Sequence, residues 1–302
     1  MNDYRKALSA VRALLASLLV LTNSMAGCSS IRAKVENRSE IAPRKLSRLG
    51  LEAIHQGRWS AAEENFAAAL KLDETDDRAH LGMAETLWHR GQRPQAIEHM
   101  QRAVQLSAAQ PDLVVRLGRM YLESGNPAAA REQSNEALMC GRELAATWAL
   151  HGDVLAAEGD DQGALAAYHR ALVLQPHYPQ VQIAVAEVYQ RLGRYDRLLA
   201  TLDRLQDGVD PSNCPVRAQL LRGLAMKQLG RPREAADCFL HVAQSFPHDT
   251  ENLILLAESE LECGNHDAAR KALDRALSID AQCPGSHAIL ARLTANNALL
   301  PH

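Results

Sequence analysis

The stretch AATWALHGDVLAAEGDDQGALAAYHRALVLQPHY, residues 145–178, decides the fold. It reads as two helices. Alanine and leucine dominate it, and both lose little rotamer freedom in a helix. Gly159 stands near its middle and Pro176 near its end. A glycine takes the left-handed conformation that closes a helix without Cβ strain, and a proline two residues past a helical run stops the chain from continuing. The same 34-residue frame extends outward in both directions. Gly57, Gly91, Gly125, Gly159 and Gly193 are each 34 residues apart; Gly230 comes 37 later and Gly264 another 34.

Other columns keep the register. Seven residues before each of these glycines stands Gly50, Ala84, Gly118, Gly152, Ala186, Gly223 or Ala257. Five residues after it stands Ala62, Ala96, Ala130, Ala164, Leu198, Ala235 or Ala269. Large apolar residues, Phe66, Met100, Tyr168, Leu202, Phe239 and Leu273, fill a further column. Small residues let antiparallel helices approach, and the large ones fill the space beside them. Pro94, Pro127 and Pro232 open second helices, where a missing N–H costs nothing.

This pattern resembles the tetratricopeptide repeat at its 34-residue period. In the quoted stretch Trp148, Gly152, Leu155, Gly159, Ala164, Tyr168, Ala171 and Pro176 occupy the family's signature columns. The resemblance implies an all-α fold, an α-solenoid in which helix-turn-helix units wind as a right-handed superhelix. Seven repeats are expected at 43–76, 77–110, 111–144, 145–178, 179–212, 216–249 and 250–283, followed at 284–302 by a capping helix and a short tail. The fifth repeat departs from the pattern: Leu198 and Leu205 replace alanines, and three extra residues enter within 210–215. Two readings of that insertion stand. It is either a tolerated loop irregularity or a change of curvature that separates two sub-arrays near 205–215.

The N-terminus reads differently. Arg5, Lys6 and Arg12 precede an apolar run at 13–21, which is too short to span a bilayer. A basic start, a short apolar core and small residues describe a signal peptide over 1–27. The segment Met25-Ala26-Gly27-Cys28 resembles the bacterial lipobox, with Met25 where the family usually has leucine. The resemblance implies cleavage before Cys28 and lipidation of that cysteine, with 28–42 as a flexible tether. By the same analogy Ser29 directs the protein to the outer membrane, facing the periplasm. An ordinary signal peptide, giving a secreted chain, and an uncleaved inner-membrane anchor are the alternatives.

Composition excludes several classes. The formal net charge is only -3, with no basic stripe, so no nucleic-acid partner is expected. The sequence has no H-E-x-x-H, G-x-S-x-G, phosphate-binding loop or C-x-x-C motif. The repeats leave no length for a catalytic domain. No enzyme activity, metal or cofactor is expected. Cys140, Cys238 and Cys263 read as small core residues, Cys283 as the end of a second helix, and Cys214 as an exposed loop residue.

In the family the first helices line a concave groove that takes extended or helical peptides. The column six before the turn glycine holds Glu85, Arg119, Asp153, Glu187 and Glu258, with Arg116 nearby. No lysine–asparagine pair occupies the columns of a C-terminal carboxylate clamp. The mostly acidic row suits a partner with apolar anchors and some basic residues. His151, Arg222 and Glu260, polar at usually apolar columns, are expected to reach the solenoid edge. The function implied is a protein-binding scaffold of the cell envelope, assembling a pilus, secretion or cell-wall complex. The alternative is an adaptor that presents partners to a periplasmic protease or hydrolase.

Overall fold

A computed structural model describes residues 42–207 and 214–298. The signal segment, Cys28, most of the tether and the inserted loop at 208–213 lie outside the described residues. The chain divides between Ser124 and Gly125 into two compact units. The first holds α1 (42–55), α2 (Trp59–Leu72), α3 (Asp77–His89), α4 (Arg93–Leu106) and α5 (Pro111–Glu123). The second holds α6 (Pro127–Cys140), α7 (Ala145–Ala157), α8 (Asp161–Leu174), α9 (Pro179–Arg191), α10 (Tyr195–Asp207), α11 (Val216–Gln228), α12 (Pro232–Ser245), α13 (Thr250–Glu262), α14 (His266–Ile279) and α15 (Pro284–Ala298).

The fold class is the expected one, a series of paired helices packed in sequence with a terminal capping helix. All seven register glycines have positive φ, from 66° at Gly193 to 84° at Gly159. After Gly159, the Asp160 N–H donates to the Leu155 carbonyl at 2.9 Å, and the Gly159 N–H to Ala156 at 3.2 Å. The same pair of bonds recurs at Gly91, Gly193, Gly230 and Gly264. Carbonyls orphaned at the helix end are thereby satisfied in each turn. Aspartates open several helices: Asp76 accepts from Arg78 and Ala79, and Asp249 from Glu251 and Asn252. Asp76 also accepts from the Ser47 hydroxyl at 2.7 Å, tying α1 to the start of α3.

The helix pairs close on a size match. Gly50 faces Phe66, Gly152 faces Tyr168 and Gly223 faces Phe239; a Cβ added at Gly50 would lie 2.6 Å from the Phe66 ring, and one at Gly223 2.7 Å from the Phe239 ring. Phe66 is wedged against Gly82 as well, so its ring fills the space between the first helices of two successive repeats. Where the column holds Ala84, Ala186 or Ala257, the position sixteen later holds Met100, Leu202 or Leu273, and all six are buried. In the second unit α9 touches α7 as well as α11, and α13 touches α15, so first helices lie side by side.

The insertion after α10 does not interrupt the core. Leu198, Leu202 and Leu205 on one side of it and Leu221, Leu253 and Leu273 on the other belong to one apolar cluster, against which Cys214 packs. The compact units divide at Ser124–Gly125, not near 205–215. The cysteine assignments need correcting. Cys140 is exposed, Cys238 and Cys263 are half-buried, and the buried one is Cys283. Cys140 and Cys263 fall at or just past helix ends, where packing on one side is lost. Cys283 does not end a second helix, because α14 stops at Ile279; it immediately precedes α15. Cys214 is half-buried against the core and not an open loop residue.

Candidate functional site

Three of the predicted groove residues come together in the first unit. Glu85 on α3 and Arg116 and Arg119 on α5 line a cavity of about 380 Å³. That volume lies within the ~300–1,000 Å³ typical of binding clefts. Ala84, Trp88, Met100 and Met120 supply apolar lining, with Met100 fully buried beneath. Helical spacing explains the grouping: Arg116 and Met120 are four apart on one face of α5, as Glu85 and Trp88 are three apart on α3.

Charged groups rim the cavity. Arg116 pairs with Glu85 across the two helices. The Arg93 guanidinium stands 5.4 Å from the Trp88 ring centre and donates to the Glu123 carbonyl at 2.8 Å. This places a cation over an aromatic face. His89, also lining the cavity, stacks on Trp59 with ring centres 3.7 Å apart and 12° between planes. Trp88 and Met120 also line the cavity. Their columns carry no repeat signature, so the sequence pattern did not single them out.

The other predicted residues lie in the second unit, and their carboxylates have partners within the chain. Asp153 accepts from the Tyr168 hydroxyl at 2.8 Å. Burial and the Asp153 carboxylate both push the Tyr168 hydroxyl pKa up, so the phenol stays protonated as a donor. Glu187 accepts from Arg217 Nε at 2.8 Å, and Glu258 pairs with Lys227. Glu85, Glu187 and Glu258 thus each meet a cation about thirty residues away, from an adjacent repeat's first helix. These pairs are half-exposed, and exposed pairs are worth only ~0–1 kcal/mol each. Other ion pairs join a first helix to a second helix of the neighbouring repeat: Arg191 of α9 reaches Asp161 of α8 at 2.6 Å, and Arg131 of α6 pairs with Glu158 at the end of α7.

Two family profiles match the sequence, both described as tetratricopeptide repeat. One matches residues 87–153 and 227–293, the other residues 47–112, and together they cover more than half of the chain. The chain belongs to the tetratricopeptide-repeat family. Among curated proteins, an Arabidopsis thaliana protein, "Protein CTR9 homolog", is 30% identical over 129 residues, which is 43% of this chain and 12% of the relative. This chain therefore spans a small fraction of that relative's length. Among solved structures, Pseudomonas aeruginosa pilF aligns with a TM-score of 0.61 at 18% identity, covering 74% of this chain and 99% of that one. PilW, described as a widely conserved type IV pilus biogenesis factor, aligns with a TM-score of 0.62 at 20% identity, covering 68% and 94%. At these identities the likeness is one of fold.

The other three polar residues at usually apolar columns of this tetratricopeptide-repeat protein are half-buried and have partners within the chain. Arg222 pairs with Asp203 at 2.7 Å, and Glu260 accepts from Asn265 at 2.7 Å. His151 is half-buried, with Nδ1 3.0 Å from the Ser134 hydroxyl; burial first, then the Arg131 charge, lowers its pKa. Among the described residues no group of three metal-ligating side chains is placed to hold an ion, and no helix is long and apolar enough to cross a membrane.

Proposed function

We propose that this tetratricopeptide-repeat chain is a non-catalytic scaffold that grips a partner segment at the α3–α5 cavity. The observation that carries this is the cavity itself, an apolar lining of Trp88, Met100 and Met120 rimmed by Glu85, Arg116 and Arg119. An apolar side chain of the partner would enter it. Charged neighbours in that segment would exchange with the Glu85–Arg116 pair, whose exposure makes its opening inexpensive. Within the second unit, Glu187 and Glu258 would offer contacts of their own by the same kind of exchange.

The finer reading places the scaffold at a bacterial envelope, held by a lipid on Cys28 and facing the periplasm from the outer membrane. The Met25-Ala26-Gly27-Cys28 segment and the apolar run before it support this. Two of the similar structures come from proteins named for pili, which makes pilus assembly the first machine to test, before secretion and cell-wall complexes.

Affinity capture from detergent-solubilised envelopes tests both levels. Wild type should recover subunits of one assembly, and Arg119→Glu should lose them while keeping its helical spectrum. Undiminished recovery with Arg119→Glu, and with Glu85, Asp153, Glu187 and Glu258 all changed to lysine, would remove the groove assignment. A single protease or hydrolase as the captured protein would favour the adaptor reading. Labelling with a fatty-acid analogue should be abolished by Cys28→Ala; equal labelling of both chains would remove the lipid anchor.

A further inference from the structure

A second cavity in the first unit, of about 750 Å³, opens between α2, α3 and α4. Two histidines on its wall face each other, His80 in the first turn of α3 and His99 in the middle of α4. Their Nδ1 atoms are 3.0 Å apart, with ring centres 5.1 Å apart and planes tilted by 40°. The other nitrogen of His80, Nε2, lies 3.1 Å from the Glu74 carbonyl oxygen.

That second contact fixes the tautomer. A carbonyl only accepts, so Nε2 of His80 carries the proton and its Nδ1 presents a lone pair. His99 then donates from its own Nδ1. A metal-ligating histidine has the same arrangement, one nitrogen free and the other anchored on a carbonyl. The spacing agrees too. Two imidazole nitrogens each ~2.0–2.1 Å from one ion stand roughly 2.9–3.4 Å apart at right-angled to tetrahedral geometry.

We propose that His80 and His99 form a two-histidine site for a borderline divalent transition-metal ion, copper, nickel or zinc. The ion replaces the shared hydrogen. The His99 proton leaves Nδ1 and a proton from solvent takes its place on Nε2, so no net proton is released when both rings are neutral. Four charges share the cavity wall, Lys71 on α2, Glu74 in the following turn, and Glu98 and Arg102 on α4. They are balanced in sign and leave no net repulsion of a cation. With no three-ligand group among the described residues, water completes the coordination, and copper binds most tightly of the three. Binding ties α3 to α4 within the second repeat.

Calorimetric titration of the full chain with copper, nickel and zinc chlorides tests the site against His80→Gln and His99→Gln. Each variant should lose one bound ion per chain, or bind it at least about tenfold more weakly, and should lose the metal-dependent rise in Tm. Equal stoichiometry and affinity in wild type and both variants would overturn the proposal and leave the pair a hydrogen bond only. Should a variant fail to fold, zinc titration of wild type followed by imidazole ¹⁵N shifts decides it. Nδ1 of both rings must move; unchanged shifts would equally overturn the site.

Discussion

Repeats one, four and six place an aromatic ring against a glycine, whereas repeats two, five and seven carry a buried alanine and a buried unbranched or aliphatic side chain at the same two columns. The pairs are Gly50–Phe66, Gly152–Tyr168 and Gly223–Phe239 in one set, Ala84–Met100, Ala186–Leu202 and Ala257–Leu273 in the other. The same helix pair thus closes in two ways. A ring needs the volume of the missing methyl, and a narrower side chain allows that methyl to return. The third repeat follows neither rule. Sixteen residues after Gly118 stands Ser134, which bonds His151, and this is the repeat in which the two compact units divide. The lesson is that the small column and the large column are one variable, to be read together.

The largest test of this comparison is Phe239→Ala. Emptying the space in front of Gly223 should cost about 3–5 kcal/mol of unfolding free energy in urea titration, because both partners are then small. Next comes Gly223→Ala. The substitution improves intrinsic helix propensity by up to ~1 kcal/mol, yet the added methyl meets the Phe239 ring, and net destabilisation of about 1–2 kcal/mol is expected. Adding Phe239→Leu to it should restore more than half of that loss, since the double variant copies the second kind of pair. A stabilised Gly223→Ala chain would break the comparison.

A third, smaller effect separates Tyr168 from the two phenylalanines. Tyr168→Phe keeps the ring against Gly152 but removes the hydrogen bond to the Asp153 carboxylate, and about 1 kcal/mol should be lost. The smallest effect belongs to the inter-repeat ion pairs. Glu187→Gln should change unfolding free energy by less than about 0.5 kcal/mol and lose even that in 1 M salt, because the pair with Arg217 is half-exposed. A loss near 2 kcal/mol would mean that the pairs set the stacking of repeats.

The helix pairs were legible in the sequence because one requirement, a left-handed turn residue, returns at a fixed interval and marks every boundary. Gly57 through Gly264 therefore located the helix-closing turns, all at positive φ, and α15 followed from the apolar spacing of Ile289, Leu290 and Leu293. The candidate site was legible only in part. Glu85, Arg116 and Arg119 share a cavity as first-helix neighbours. The cations facing Glu187 and Glu258 sit at positions outside any repeat column, so no periodicity announces them. His80 and His99 are nineteen residues apart on different helices, and only the packing of α3 on α4 brings their nitrogens together. Ala108 and Ala109 show the converse limit. Both adopt positive φ, 53° and 56°, with no glycine to signal the turn. That conformation costs an alanine about 1 kcal/mol, small enough for the flanking helices to impose.

The seven turn glycines differ in kind from the glycines of the packed column. A Cβ built at Gly159 would find nothing within 4 Å, although its φ is +84°. What excludes an ordinary side chain there is the handedness of the α-carbon and not lack of room. A mirror-image alanine, introduced by chemical synthesis, would sit in that turn in its own preferred conformation and point its methyl into open space. The repeat is thus built around seven sites that disfavour L side chains on grounds of chirality and not of space, while leaving room for a side chain at each.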